Sequence, residues 1–257
     1  MTQNTSNQWP MNTQICTPFL SVRITREPTD IRAALACRSQ AFGRTKTAEV
    51  GEGDQFDNQW HHILVEDIKT GRVLGCARVM NYATGSGLHL GYSAQFYDLS
   101  RLFSLGQPVL ELGRFCVLPG KQSADVIRLI WAAVTRLTDH HHSKMLVGCS
   151  SFQGIDPILH LDAFGLLGAK HLAPDNWAPL IKSGDIFQLP KSKPDAQARI
   201  RALHQMPTLV RSYLAMGGWV SDHGVIDRDM STIHVFTGLE VAKIPARRAA
   251  RLRSLAA

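Results

Sequence analysis

The segment Val109-Leu110-Glu111-Leu112-Gly113-Arg114-Phe115-Cys116-Val117 sets a carboxylate and a guanidinium inside an apolar run that ends at Pro119-Gly120. Its composition predicts a strand. Side chains alternate along a strand, so Glu111, Gly113, Phe115 and Val117 take one face while Leu110, Leu112, Arg114 and Cys116 take the other. Each face then carries one charge. A buried charge costs several kcal/mol unless it is paired or solvated through a cleft. Gly113 weakens the strand unless another backbone or a ligand must come close. Two readings follow: a structural ion pair beside a packing glycine, or an active-site strand.

The elements around this strand can be read from periodicity. Val126, Ile130, Ala133, Val134 and Leu137 share one face of a helix starting near Ser123, which is its expected cap. Residues 145–150 form the next strand, and strand, helix, strand predicts a right-handed parallel crossover. Upstream, residues 21–25 read as a strand, and Pro28-Thr29-Asp30 opens a helix capped by Thr29 or Asp30 and stopped by Gly43. Residues 63–67 and 72–80 flank Lys69-Thr70-Gly71 as an antiparallel hairpin. Downstream come helices at about 157–167 and 207–216, the latter stopped by Gly217-Gly218. A turn is expected at Asp222-His223-Gly224 before a closing strand, 232–237. The stretch 44–61 groups Glu49, Glu52, Asp54 and Asp57 around Phe56 and Trp60, which suits either a solvated loop or a substrate-facing segment.

The chain has 257 residues, and 44% of them are hydrophobic, enough for a sizeable core. No run is apolar enough to span a bilayer and the polar start has no secretory core, so a cytoplasmic location is expected. The five cysteines are scattered without a C-x-x-C, which favours reduced thiols and no metal site; the adjacent His140-His141-His142 do not converge as ligands. The net charge of +7 calls for an anionic partner. No nucleic-acid-reading motif is present, and the basic residues are dispersed except in the tail from Val241, which suits a solvated helix end or a docking patch for acidic protein or anionic lipid. The expected organisation is a flexible leader, 1–18, a single domain, 19–245, and a basic tail, 246–257.

Five ordered segments carry a family likeness: Glu111-Leu112-Gly113-Arg114-Phe115-Cys116-Val117, Gly148-Cys149-Ser150-Ser151-Phe152-Gln153-Gly154, His171-Leu172-Ala173-Pro174, Tyr213-Leu214-Ala215-Met216-Gly217-Gly218 with Asp222, and Asp54, Phe56, Asp57 and His62. Together they resemble the bacterial acyltransferases of ornithine lipid synthesis, relatives of acyl-homoserine-lactone synthases within the GNAT superfamily. The resemblance implies an α/β GNAT fold with a mixed central sheet flanked by helices, whose central strands splay to admit a pantetheine arm. It implies transfer of a 3-hydroxyacyl chain from acyl carrier protein to the alpha-amine of L-ornithine, with no tightly bound cofactor.

On that resemblance Glu111 is the base, and Arg114 orients Glu111 or binds the substrate carboxylate. The backbone N–H groups of Phe115, Cys116 and Val117 polarise the thioester, while Lys121 and Ser123 meet the phosphate of phosphopantetheine. Asp54, Asp57, Ser151 and Phe152 are the candidates for binding substrate, with bracing of the lid as the alternative role of Asp54 and Asp57. The start of the helix, Lys121-Gln122-Ser123-Ala124, departs from the G-x-G or G-x-A of many coenzyme-A-dependent relatives, and this favours a carrier-protein donor. His234 stands where many relatives carry Asp. Contact with an anionic membrane surface is a second use of the positive charge. Acyl-homoserine-lactone or N-acyl amino acid synthesis, for instance on glutamine, is the rival enzyme reading, and a non-catalytic carrier-binding module is the rival of another class.

Overall fold

The computed structural model describes residues 15–43, 53–191 and 195–256. In chain order these form β1 (Ile15–Cys16), β2 (Leu20–Thr25), α1 (Pro28–Ala41), β3 (His61–Asp67), β4 (Val73–Tyr82), β5 (Tyr97–Asp98) and β6 (Val109–Val117). There follow α2 (Ser123–His140), β7 (Met145–Gln153), α3 (Leu161–Lys170), β8 (Leu180–Ile181), β9 (Ile186–Gln188), α4 (Ala196–Gln205) and α5 (Thr208–Ala215). β10 (Trp219–Asp227), β11 (Thr232–Glu240) and α6 (Ala246–Ala256) complete the chain. Residues 1–14 of the expected leader lie outside the described residues, and Ile15–Cys16 pairs with Ser21–Val22.

The chain divides into two compact units, Met1–Asn81 with Leu112–Ser143 and Ala246–Ala257, and Tyr82–Glu111 with Lys144–Pro245. In the first, β1, β2, β3 and β4 run antiparallel, each to the next, and the C-terminal part of β6 follows β4. α2 turns Val126, Ile130, Ala133, Val134 and Leu137 inward, as their spacing requires. α6 lies on α2, where Arg253 pairs with Asp139 at 2.9 Å. In the second unit the N-terminal part of β6 runs parallel to β7 over Val109–Glu111, as the crossover predicts, and β11, β10 and β9 continue antiparallel. The core there gathers Phe152, Phe164, Leu167, Val210, Val220 and Val235.

Several local expectations are corrected. α1 starts at Pro28 after Glu27 rather than being capped by Thr29 or Asp30; Asp30 instead pairs with Arg23 at 2.9 Å. Proline is well placed there because the first helical N–H has no partner within the helix. Ser123 does not cap α2: its hydroxyl donates back to the carbonyls of Leu118 at 3.0 Å and Gly120 at 2.8 Å. The turn expected at Asp222-His223-Gly224 is a bulge inside one continuous strand, β10, whose register against β11 shifts between Val220 and Gly224. Regular alternation fails at Arg114, whose φ of 51° is in the left-handed region.

The buried titratable groups set the response to acid. Burial lowers His61 and His234 to about 3, and His141 to about 4. Burial pushes Asp54 up, but hydrogen bonds and charge from Arg78 and Arg114 outweigh it and hold the carboxyl at about 2. Each folded-state value lies below its unfolded one, so each contribution is complete above the unfolded value and disappears as pH falls towards the folded one. We therefore expect the melting temperature to start falling below about pH 6.5, as the unfolded histidines take up protons. The loss should steepen below about pH 4, when unfolded carboxyls join them. A melting temperature independent of pH between about 7 and 4 would contradict this account.

Candidate active site

Glu111 ends the stretch of β6 that pairs with β7 and is 1% exposed. Its carboxylate is held at both oxygens: Oε1 accepts from the backbone N–H of Ser93 at 2.7 Å, and Oε2 from the hydroxyl of Tyr82 at 3.1 Å. Gly91 completes the seat, since a Cβ there would collide with Oε2. Glycine is thus needed for close approach rather than for its φ.

The same face of the second unit carries further polar groups. Cys149 donates its thiol to Ser93 Oγ at 3.4 Å, and Cys149 stands opposite Phe236 in the β7–β11 ladder. Two residues along that ladder, Ser151 is exposed and stands opposite His234. His234 is buried against Phe96 and Tyr97, and the Tyr97 hydroxyl donates to its carbonyl at 2.8 Å. That donation uses the hydrogen of Tyr97, so the 3.1 Å contact between the same hydroxyl and His234 Nδ1 requires an Nδ1–H donor. Phe152 faces the other way, fully buried against Phe164 and His160 in the core under α3.

In the first unit, Asp54 and Asp57 are gripped by arginines. Asp57 Oδ1 accepts from Arg38 at 2.6 Å and Arg78 at 2.8 Å, and its Oδ2 accepts from the N–H of Asp54 at 2.8 Å. Asp54 accepts from Arg78 at 2.5 Å and 3.0 Å, and from Arg114 Nη2 at 2.9 Å. Arg38 and Arg78 are fully buried, and the Arg78 guanidinium lies 5.0 Å from the Trp60 ring centroid and 5.5 Å from that of Phe56. Asp54 and Asp57 therefore belong to a buried ionic knot, while residues 44–52 of the stretch, with Glu49 and Glu52, lie outside the described residues. Lys121 is exposed before α2, and Ser123 has its hydroxyl hydrogen turned inward as described.

Tyr82, Gly91 and Ser93, with Arg38 and Arg78, were not singled out from the sequence. Arg78 had a legible signal, because an arginine amid Gly75-Cys76-Ala77 and Val79-Met80 demands a buried counter-charge just as Glu111 does. The structure also gathers Cys37, Cys76 and Cys116, whose sulfurs all lie within 4.8 Å of one another. The three sit in an apolar cluster with Ala34, Leu64 and Leu118, and among the described residues no His, Asp or Glu joins them.

Residues 37–132 match the model of the acetyltransferase (GNAT) domain, and the protein is an acyltransferase of that fold. The chain is 30% identical over 244 residues to the L-ornithine N(alpha)-acyltransferase of Brucella abortus (strain 2308), covering 89% of this chain and 86% of that one. It is 28% identical to the L-ornithine N(alpha)-acyltransferase of Rhodobacter capsulatus, covering 83% and 87%. The AHL synthase LasI, a solved structure, aligns with a TM-score of 0.42 at 14% identity, covering 86% of this chain and 90% of that one. The chain belongs to the L-ornithine N(alpha)-acyltransferase family.

Proposed function

We propose that the protein transfers a 3-hydroxyacyl chain from acyl carrier protein to the alpha-amine of L-ornithine, giving lyso-ornithine lipid. The observation that carries the reading is the identity with the B. abortus acyltransferase across 86% of that enzyme. The buried, doubly anchored Glu111 supplies the chemistry it needs. An ammonium has no lone pair, so the acceptor must lose a proton before it attacks a thioester, and Glu111 takes that proton directly or through one water. The amine then adds to the thioester carbonyl. Backbone N–H groups of Phe115, Cys116 and Val117 meet the oxygen as it gains charge, a role supported by the strained backbone at Arg114 beside them. Collapse of the tetrahedral species forms the amide and breaks the C–S bond, and the pantetheine thiolate takes up the proton that the attacking nitrogen gives up. No covalent enzyme intermediate is required, so the half-buried Cys149 and buried Cys116 need no nucleophilic role.

In this reading Arg114, held by Asp54, stands ready for the substrate carboxylate, and Ser151 is the exposed polar residue on the Glu111 face. Lys121 receives the single phosphate of the carrier's phosphopantetheine, with Ser123 ordering the turn beneath it. Asp54, Asp57 and Phe152 support these positions through packing and ion pairs. The donor's carrier is acidic, and α6 offers Arg247, Arg248 and Arg251, all exposed, with no acid in the helix. Replacing the three by Glu should raise KM for the carrier-bound donor by about tenfold or more while leaving kcat unchanged. An unchanged KM would remove α6 from the carrier site.

The test is mass spectrometry of products from 3-hydroxyacyl carrier protein and a panel of amino acids, with acyl-coenzyme A as a parallel donor. Lyso-ornithine lipid from the carrier donor alone is the expected product. Acylated glutamine instead would replace the acceptor, and efficient use of acyl-coenzyme A would replace the donor.

A further inference from the structure

The first unit brings three thiols together from three elements. Cys37 stands on α1, Cys76 on β4 and Cys116 on β6, and all three are free and buried. Their sulfurs lie within 4.8 Å of one another, and Cys76 Sγ meets Cys116 Sγ at 3.5 Å. A cation about 2.3 Å from each of three sulfurs, at the centre of their triangle, holds them about 4.0 Å apart. The observed spacing brackets that figure, so the set can close on an ion with small side-chain adjustments. Packing is the plain alternative, because a free cysteine fills a core like a small apolar residue. Packing asks only for volume, however, and does not require sulfurs from a helix and two strands to turn towards one another.

The surroundings choose the ion. Ala34, Leu64 and Leu118 wall the cluster, and among the described residues no His, Asp or Glu joins it. Hard cations take oxygen ligands, so an all-sulfur set excludes them. Structural zinc almost always takes four ligands, and three sulfurs between apolar walls leave its fourth place empty. Cu(I) is soft, is selected by thiolates and is satisfied by three of them. The guanidinium of Arg38, fully buried and next in the chain to Cys37, acts electrostatically on Cys76 and Cys116. It offsets part of the negative charge that thiolates bring into the core. We propose that Cys37, Cys76 and Cys116 form a trigonal thiolate site for a soft monovalent cation, Cu(I). Spacing along the chain disfavours a metal, but strand order brings the ligands together. The bound ion ties α1 to β4 and β6. Ligation releases thiol protons to solvent, so binding strengthens as pH rises.

In the experiment the full chain, reduced and kept free of oxygen, is titrated with Cu(I) against a competing chelator, and the bound copper is read by X-ray absorption. One Cu(I) per chain with three sulfurs at about 2.3 Å is expected. Cys37→Ala and Cys76→Ala should each weaken binding about a hundredfold or more. Cys16→Ala and Cys149→Ala, at the exposed and half-buried thiols outside the cluster, should leave it unchanged. A cooperative melt certifies that each variant is folded, and Cys37→Val, which keeps apolar volume, repeats the test where an alanine variant does not fold. No Cu(I) at one equivalent, fewer than three sulfurs, or binding that survives both cluster variants overturns the proposal. So does Zn(II) held more tightly than Cu(I), because that preference requires a fourth ligand. The readout is metal binding, so the identity of the acyl acceptor does not enter it.

Discussion

Glu111→Gln is expected to lower kcat by about two to four orders of magnitude, the range over which a positioned general base contributes. The substitution keeps size and shape. Its amide oxygen can still accept from the Ser93 N–H, and its NH2 can donate to the Tyr82 oxygen, so the seat at Gly91 is filled as before. The melting temperature should therefore stay close to that of the parent. What is lost is the lone pair that takes the ammonium proton. Turnover is read as release of the carrier thiol, and it should rise more steeply with pH in the variant, because deprotonation then depends on solvent. A purely structural Glu111, one that only ties β6 to the connection through Tyr82 and Ser93, makes the opposite forecast: kcat preserved, because Gln keeps both ties. That outcome would also return the carrier-binding module as the better account.

The fold around Glu111 was legible because its signals are local. The apolar strand, the helix with an apolar stripe and the following strand predict a parallel crossover on their own, and β6, α2 and β7 follow it. Glu111 itself was legible as a charge in a run that must be buried. Its anchors were not. Tyr82 and Ser93 come from a connection rich in Gly, Ser and Tyr, where the identity of a partner depends on the path of the chain and not on period. The cysteine cluster is a sharper case. Cys76 and Cys116 lie 40 residues apart yet their sulfurs meet at 3.5 Å, a proximity created by strand order that no spacing rule encodes. The bulge in β10 was misread for a related reason: Asp222-His223-Gly224 has turn composition, and only pairing with β9 and β11 on either side keeps it in the sheet. Phe152 lies within a family-like segment, but alternation along β7 sends it to the core while Ser151 stays on the side of Glu111.

The carboxylate pair at 54 and 57 separates a role in binding substrate from a role in holding the fold, and Asp57→Ala decides between them. Asp57 is the shared counter-charge of two fully buried guanidiniums, and both its oxygens are already occupied by Arg38, Arg78 and the Asp54 N–H. Burial raises the Asp57 carboxyl, but the neighbouring arginines outweigh that and leave it lowered, so it is ionised throughout the physiological range. Truncation leaves Arg78 with Asp54 and leaves Arg38 without its carboxylate. Breaking one buried ion pair costs about 3–5 kcal/mol, and the expected fall in melting temperature is about 6–20 °C for a chain of this size. Arg38→Met combined with Asp57→Leu should recover part of that loss, because the penalty comes from an uncompensated buried charge more than from a missing attraction. A substrate-binding Asp57 would instead show a raised KM at an unchanged melting temperature, and the double variant would restore nothing. The two results are separable, since one reads the cost of desolvating Arg38 and the other the affinity for an amino acid that the unfolding experiment does not contain.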